Sequence, residues 1–381
     1  MSYQHIGALL LLLPSTLAAS AYTSTQSQTP KDNNADCSCY VVESGDSAQS
    51  PQYFQYYRFY DFRGLDGALD TAPPLLNDTQ TASEEPTWQP KLFNSEAWNH
   101  DWNIQNWGKP STDEFPVPMN NSLANIYLGN DKDADTSYLA LRTSRLDTAQ
   151  QTAGEIENLQ KNLMHASLRM YGRVRGSKGA VAGFFTFYDD DNESDIEILT
   201  ADPKDQIRYT NQPAVGDDGN EVAAASVGPT DLARWDEWQT HRIDWLPKNS
   251  YWFLNGEQVA ANTYSVPRKP SFLVLNMWSD GGEWSGEMEV GDSAEFHVQW
   301  IEMAFNTSGP YVGLDYEEEE KRKRRGAGLV EREEEGCKTV CKIDGVKTVG
   351  TPEVLDSAAV GMRVSWGLVV VVGLVSLVVG Y

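Results

Sequence analysis

Three acidic residues on alternate positions form the segment of this chain that is best suited to chemistry. Glu193, Asp195 and Glu197 lie in the run NESDIEIL, where Ile196 and Ile198 occupy intervening positions. In a β-strand, residues two apart face the same side, so the three carboxylates should line one surface. Like charges at this spacing destabilise the folded state, so a function that requires them would explain their presence. Glycoside hydrolysis is such a function, because one carboxylate attacks the anomeric carbon while another protonates the departing oxygen.

Acidic alternation also occurs on solvated strand faces and in calcium sites, so the neighbouring residues must be considered. The preceding run GAVAGFFTF is continuously apolar and predicts a buried strand. No chelating loop with a glycine at its turn follows, as an EF-hand would require. This context favours the catalytic interpretation, and the sequence predicts no metal site.

Composition restricts the class of partner. The 381 residues carry a net charge of −25, which argues against a nucleic-acid partner. The 12 tryptophans supply flat aromatic faces of the kind on which sugar rings pack. A carbohydrate partner is therefore favoured.

Both ends of the chain carry apolar segments that predict targeting. The short apolar run before Ala18–Ala21 predicts a secretory signal over residues 1–21. Residues 357–381 begin with small residues and end in an apolar tail that is not followed by Lys or Arg, which favours a lipid-anchor signal over a transmembrane helix. The predicted location is the cell surface, with the membrane reached only through this C-terminal anchor.

Four cysteines in a secreted chain predict disulfides. Cys37 and Cys39 lie near the start of the mature chain, while Cys337 and Cys341 lie near its end. A bond within Cys37-Ser-Cys39 would close a strained ring, so cross-pairing of the two ends is expected with its connectivity open. Such a bridge closes a loop of roughly 300 residues and would contribute about 5 kcal/mol in the chain-entropy model.

Many short segments with strand-like alternation, separated by turn residues such as Asn255-Gly256, predict an all-β sandwich or barrel. Residues 154–163 instead suggest a helical turn. The run EEEEKRKRR favours a solvated linker, with protease cleavage at the basic residues 321–325 as the alternative. The expected organisation is a signal peptide (1–21), a disordered segment (22–36), a β-domain (37–316), a charged linker (317–336), a cysteine-containing segment (337–356) and the anchor (357–381).

The stretches that carry the acidic triplet resemble glycoside hydrolase family 16, the group of laminarinases, lichenases and cell-wall transglycosylases. The similarity lies in Phe184-Phe-Thr-Phe187 followed by Glu193-Ser-Asp-Ile-Glu197, in residues 240–259 and in LNMWSDGGEWSG at 275–286. This resemblance implies a concanavalin A-like β-jelly-roll sandwich of two antiparallel sheets. It also implies a retaining mechanism with Glu193 as nucleophile, Glu197 as general acid/base and Asp195 as their assistant.

The resemblance extends to residues that would bind sugar. Asn276 and Trp278 match an N-x-W pair, Arg169 is similar to a family arginine although Ser167 stands where Glu is usual, and Trp102 and Trp284 are candidate sugar platforms. The sequons at Asn77, Asn120 and Asn306 predict glycosylation, whereas the sequon at Asn192 lies in the predicted acidic strand and is expected to stay unused.

Three functions follow as hypotheses. The first is a secreted hydrolase of cell-wall β-1,3(1,4)-glucan, in a fungal host, acting as a monomer. The second is a glucan transglycosylase with the same residues, because water and a sugar hydroxyl can attack the same covalent intermediate. The third is a lectin-like wall protein that binds glucan without cleaving it. No cofactor is expected, and a structural calcium ion is left open.

Overall fold

The computed structural model describes residues 20–23, 37–45, 51–77, 83–147, 150–309 and 337–355. Nearly all regular structure in these ranges is β-strand, and the helices are short. They are α1 (Pro90–Phe93), α2 (Glu96–Asp101) and a 3-10 helix at Leu123–Asn125. Ser95 caps α2, since its hydroxyl accepts a hydrogen bond from the Trp98 backbone N–H at 3.1 Å. The prediction of an all-β fold is confirmed.

One sheet carries the acidic strand, and we call it the carboxylate sheet. Its strands are β4 (Trp102–Ile104), β9 (Gln151–Asn158), β11 (Val181–Asp189), β12 (Asn192–Leu199), β13 (Arg208–Asn211), β14 (Ser226–Val227) and β18 (Phe272–Trp278). They are ordered β14-β13-β12-β11-β18-β9-β4, and every neighbouring pair is antiparallel. The acidic strand β12 therefore lies inside the sheet, with a partner on each side.

The second sheet packs against the first. Its strands are β3 (Tyr56–Asp61), β5 (Gly108–Lys109), β6 (Met119–Asn121), β7 (Ile126–Asp131), β8 (Thr136–Arg145), β10 (Leu163–Gly176), β15 (Gln239–Trp245), β16 (Ser250–Leu254), β17 (Glu257–Asn262) and β19 (Ser293–Thr307). The long strand β19 pairs with β10 along one edge and with β3 and β8 along the other. Strand β9 pairs with strands of both sheets and so connects them.

The main core lies between these two sheets. Ile196 and Ile198 of β12 point inward, as do Leu168 and Met170 of β10, and all four are at most 1% exposed. Burying a side chain of this size contributes about 1.5–3 kcal/mol, so the inward residues fix which face of each strand is turned out. The predicted jelly-roll sandwich of two antiparallel sheets is confirmed.

The two ends of the described chain meet in a small third sheet, the terminal sheet. Its strands are β1 (Cys39–Glu43), β2 (Pro51–Phe54), β20 (Val340–Lys342) and β21 (Glu353–Val354), ordered β2-β1-β20-β21. Disulfides join Cys37 to Cys341 and Cys39 to Cys337 across separations of 304 and 298 residues. The expected cross-pairing is confirmed, and its connectivity is now assigned.

Tyr22, expected in the disordered segment, is buried in the main core. Its ring contacts Phe62 and Trp98, and its hydroxyl donates a 2.7 Å hydrogen bond to Asp101. Residues 24–36, the charged linker and the C-terminal anchor lie outside the described residues, as do residues 1–19 of the predicted signal. Within the described ranges, no helix is long and apolar enough to cross a membrane.

The helical turn predicted at residues 154–163 is wrong. This stretch contains the end of β9 and the first residue of β10. Glu155 and Ile156 pair with Asn276 and Leu275 of β18, so cross-strand pairing determines the conformation. Glu155-Ile156-Glu157 also has the alternation of a half-buried strand. This error concealed Glu155, which belongs to the candidate active site.

Candidate active site

The acidic residues of β12 share the outward face of the carboxylate sheet, as their alternation predicts. Ser194, Ile196 and Ile198 between and beside them are at most 1% exposed and face the core. Asp195 is also buried, at 1% exposure, whereas Glu193 and Glu197 are half-buried. We call this outward surface the carboxylate face.

A row of functional groups crosses the carboxylate face at the level of Glu197. Glu197 is paired with Gly183, Gly183 with Asn276, and Asn276 with Glu155. Three strand spacings separate the two glutamates, a distance of about 14 Å. Gly183 is required in this row, because a Cβ there would lie 2.5 Å from Asn276 Oδ1. The glycine therefore leaves room for the amide to lie over the sheet.

Glu193 and Asp195 form an acidic pair in which each carboxyl shifts the pKa of the other. Burial, and then the charge of Glu193, raises the pKa of Asp195 well above its usual range. Burial also raises the pKa of Glu193, to about 8, although the neighbouring Asp195 carboxyl opposes that rise. Gln212 donates from Nε2 to Asp195 Oδ2 at 3.2 Å. The arrangement favours one proton shared between Asp195 and Glu193.

Glu197 has a different environment. Burial raises its pKa to about 7, while a hydrogen bond from Trp284 and the positive charge of Arg208 oppose that rise. The Trp284 indole Nε1 lies 3.0 Å from Glu197 Oε1. A carboxyl that titrates near neutrality can both donate and accept a proton at neutral pH. The triplet thus places one group suited to nucleophilic attack beside one suited to acid and base catalysis.

Glu155 is a residue of this face that sequence reasoning missed. Its carboxylate accepts hydrogen bonds from Trp107 Nε1 at 3.2 Å and from Asn276 Nδ2 at 3.3 Å. Burial raises its pKa to about 7, although the bond from Asn276 opposes the rise. Trp107 was likewise missed, and its side chain is 44% exposed. These contacts place a polar group and an exposed aromatic ring at one end of the row.

Of the five residues predicted to bind substrate, the structure places three on or beside the carboxylate face. Asn276 belongs to the row, and Trp278 faces the same side two residues further along β18. Trp284 contacts Glu197 from the loop between β18 and β19. Both tryptophans are half-buried, so part of each ring is accessible to a ligand.

Trp102 is not a sugar platform. It is 1% exposed and packs against Tyr60 with ring centroids 4.8 Å apart. Pairing with Asn158 turns Trp102 inward, whereas its neighbour Asn103 pairs with Glu157. The register of this three-residue strand therefore contradicts the predicted role.

Arg169 is also placed away from the carboxylate face. It lies on β10 of the second sheet, where its guanidinium is 3.4 Å from Glu302 and 2.9 Å from Asp344. Asp344 belongs to the segment that forms the terminal sheet, so this part of the second sheet is covered. The geometry contradicts a sugar-binding role and assigns Arg169 to a buried ion-pair cluster.

The predicted glycosylation sites differ in exposure. Asn77 is exposed, while Asn120 and Asn306 are half-buried. The Asn192 amide is held within the fold, since Nδ2 donates to Asp189 and Oδ1 accepts from the Arg268 backbone. Among the described residues, no group of three or more His, Cys, Asp or Glu side chains is arranged to hold a metal ion.

Comparisons with known proteins agree with this arrangement. Residues 121–302 match the family described as Glycosyl hydrolases family 16. A Beta-glucanase of Bacillus subtilis (strain 168) is 28% identical over 151 residues, which cover 35% of this chain and 60% of the relative. A Beta-glucanase of Brevibacillus brevis is 30% identical over 135 residues, covering 32% and 49%. The chain thus spans about half to 60% of the length of these curated relatives.

Solved structures to which the chain is similar include a β-glucanase of Bacillus licheniformis. It has a TM-score of 0.45 and 17% identity, and the match covers 58% of this chain and 96% of that chain. The catalytic domain of an endo-1,3-beta-glucanase (laminarinase) from Thermotoga petrophila RKU-1 has a TM-score of 0.42 and 15% identity, with coverage of 55% and 92%.

Proposed function

Residues 121–302 are a domain of glycosyl hydrolase family 16, and from this premise we propose that the chain hydrolyses β-glucan with retention of anomeric configuration. The observation that carries the proposal is the contrast within one triplet. Glu193 and Asp195 shift each other's pKa, whereas Glu197 accepts a hydrogen bond from Trp284. Two carboxyls in different environments, one beside a second acid and one beside a hydrogen-bond donor, are suited to the two roles that a retaining glycosidase requires.

The reaction has two steps on these residues. In the first, the Glu193 carboxylate bonds to the anomeric carbon while Glu197 gives its proton to the departing glycosidic oxygen. In the second, Glu197 takes a proton from water, whose oxygen bonds to the anomeric carbon as the glycosyl ester breaks. Asp195 stabilises Glu193 through their shared proton. When the ester is cleaved and the Glu193 carboxylate is freed, the hydrogen bond that Asp195 donates to it becomes stronger.

The proposed substrate is a β-1,3(1,4)-glucan chain that lies across the strands of the carboxylate sheet. Asn276 and Glu155 would hydrogen-bond sugar hydroxyls, and Trp107 and Trp278 would contact the apolar faces of the rings. The names of the relatives support glucan as the polymer. Attack by a sugar hydroxyl in place of water would give transglycosylation with the same residues.

We also propose that the protein acts at the cell surface on wall glucan. Two disulfides support an oxidising compartment, because such bonds persist outside the cytosol. The predicted signal over residues 1–21, the anchor over residues 357–381 and glycosylation at Asn77, Asn120 and Asn306 belong to the same proposal.

Product analysis tests the function. The full chain and its Glu193→Gln variant are incubated with laminari-oligosaccharides and mixed-linkage glucan, and the products are identified by mass spectrometry. Shorter products from the wild type alone are expected for a hydrolase, and longer products would identify a transglycosylase. Binding without any new product from either protein would contradict catalysis and favour the lectin-like alternative.

A further inference from the structure

The hydrogen bond between Trp284 and Glu197 distinguishes the two oxygens of that carboxyl group. The indole N–H can only donate, and it is directed at Oε1. In the protonated carboxyl, the carbonyl oxygen is the better acceptor, so the bond from Trp284 leaves the proton on Oε2. Oε2 is therefore the oxygen that delivers the proton to the glycosidic bond.

The indole is held in place by Arg208. The guanidinium carbon of Arg208 lies 4.7 Å from the centroid of the Trp284 ring, within the range of a cation–π contact. Arg208 is itself fixed by Asp202, to which Nε and Nη2 donate at 2.8 and 3.1 Å. Arg208 also pairs with Glu197 across β12 and β13. Asp202, Arg208, Trp284 and Glu197 thus form a continuous series of contacts.

The loop that carries Trp284 is held on both sides of the indole. The Ser285 hydroxyl donates to Asp280 Oδ1 at 3.0 Å, and Gly282 N–H donates to the same oxygen at 3.1 Å. Gly286 has a φ of +75°, and a Cβ there would meet Gly179 at 3.4 Å. The position of the indole is therefore set by the fold as well as by its contact with Glu197.

We propose that Trp284 and Arg208 are positioning residues for the acid/base carboxyl, with the indole N–H selecting Oε2 as the proton-transferring oxygen and Arg208 acting through the indole. This inference rests on the proposed glycosidase function. In the first step the Oε2 proton moves to the leaving oxygen as Glu193 bonds to the anomeric carbon. In the second step Oε2 takes a proton from water as the ester bond breaks.

Removal of the N–H tests the inference. Trp284→Phe keeps an aromatic ring beside Arg208 but loses the donor that favours the ionised carboxyl. We expect the alkaline limb of the kcat/KM profile to move up by about half to one pH unit. We also expect kcat on oligosaccharides to fall about tenfold, and to fall less on aryl glycosides, whose leaving groups need little protonation.

A second variant separates Arg208 from the indole. Arg208→Met should move the alkaline limb in the same direction by less than Trp284→Phe. The N–H remains but is less well held, and the positive charge that opposes the rise in the Glu197 pKa is lost. Arg234→Met is the matched control, since Arg234 also pairs with an aspartate, Asp236, but is exposed and distant in sequence from the triplet. The control should leave the pH profile unchanged.

A titration without substrate distinguishes failure of this inference from failure of the proposed function. Carbon-13 NMR of labelled glutamate carboxyls, followed against pH, gives the midpoint of the Glu197 titration. The signal that disappears in Glu197→Gln identifies Glu197. The midpoint should rise by about half to one unit in folded Trp284→Phe. An unchanged midpoint and alkaline limb in an active enzyme would overturn the inference. A shifted midpoint in a protein that cleaves no glucan would instead overturn the function alone.

Discussion

The carboxylate face and the outward face of the second sheet both hold acidic side chains away from water, but they neutralise them differently. Under the terminal sheet, a group that we call the arginine cluster joins acids directly to cations, and it consists of Arg169, Arg242, Asp244, Glu302 and Asp344. On the carboxylate face, Glu193, Asp195 and Glu197 form no ion pair with a described residue, and burial raises the pKa of each.

The difference has a physical meaning. An arginine beside a buried carboxylate favours its ionised form, and Arg169 opposes the rise that burial causes in the pKa of Glu302. A buried carboxyl without an ion-pair partner is costly when ionised, but it can exchange protons in the range that catalysis needs. Ion pairs therefore neutralise acidic groups where the terminal sheet joins the sandwich. Among the described residues, none neutralises the carboxyls to which the chemistry is assigned.

The largest effect on stability is expected from breaking the arginine cluster. Arg169→Met removes a cation from Glu302, which is 2% exposed, and from Asp344. Loss of one partner of a buried pair costs about 3–5 kcal/mol, so the free energy of unfolding in denaturant should fall by this amount. The Michaelis constant for glucan oligosaccharides should be unchanged.

Arg175→Met provides the control for this variant. Arg175 lies on the same strand but is exposed, and its guanidinium is 3.9 Å from Asp236. Its loss should cost less than 1 kcal/mol, as for other surface pairs. A higher Michaelis constant for Arg169→Met with unchanged stability would restore the sugar-binding role that the structure contradicts.

A smaller effect, of opposite sign, is expected on the carboxylate face. The folded pKa of Glu155 is raised to about 7, above the value of about 4.3 for an unfolded chain. The folded state thus binds more protons between these values, and the free energy of unfolding should fall as pH rises from about 4.5 to about 7. Glu155→Gln should remove this loss and be more stable than wild type at pH 8, by roughly 1–3 kcal/mol.

Denaturant unfolding at pH 5 and pH 8 measures this difference for both proteins. Glu157→Gln is the matched control, because its carboxylate pairs with Lys161 at 2.6 Å. It should not gain stability at the higher pH. The comparison between the two faces would be contradicted if Glu155→Gln were equally destabilised at both pH values.

The smallest effect on stability is expected at Trp107, which lies just after β4, and Trp102 within β4 is its buried counterpart. Trp107→Ala removes an exposed ring and its bond to Glu155, and we expect the Michaelis constant for glucan oligosaccharides to rise about tenfold with little change in stability. Trp102→Ala should leave the Michaelis constant nearly unchanged. It should lower the free energy of unfolding by about 3–5 kcal/mol, because it leaves a cavity in the core. Steady-state kinetics and thermal unfolding measure both, and Trp107 would lose its assigned role if only Trp102→Ala changed the Michaelis constant.

Local sequence patterns predicted much of the fold and part of the candidate active site. The alternation around Glu193, Asp195 and Glu197 placed them on one face, because strand geometry alone determines which side each residue takes. Cross-pairing of the terminal cysteines followed from the strain of the alternative. Neither prediction depends on which strands become neighbours.

Predictions that depend on strand pairing were less successful. Trp102 and Trp107 both lie in one irregular segment, and the burial of Trp102 follows from the pairing of β4 with β9. Arg169 was assigned by likeness to a motif, although its strand lies in the second sheet. Glu155 was missed because its stretch was interpreted as a helical turn, and its Glu-Ile-Glu alternation was the signal that could have revealed it.

Covalent trapping tests the central claim most directly, because it asks which carboxylate bonds to the sugar. The full chain is treated with a fluorosugar inactivator that carries a glucosyl chain and a dinitrophenyl leaving group, which slows ester hydrolysis more than ester formation. Peptide mass spectrometry should then find one glycosyl ester, on Glu193, and none in Glu193→Gln. An ester on another residue, or glucan cleavage with inversion and no ester, would contradict the assignment of Glu193 as nucleophile.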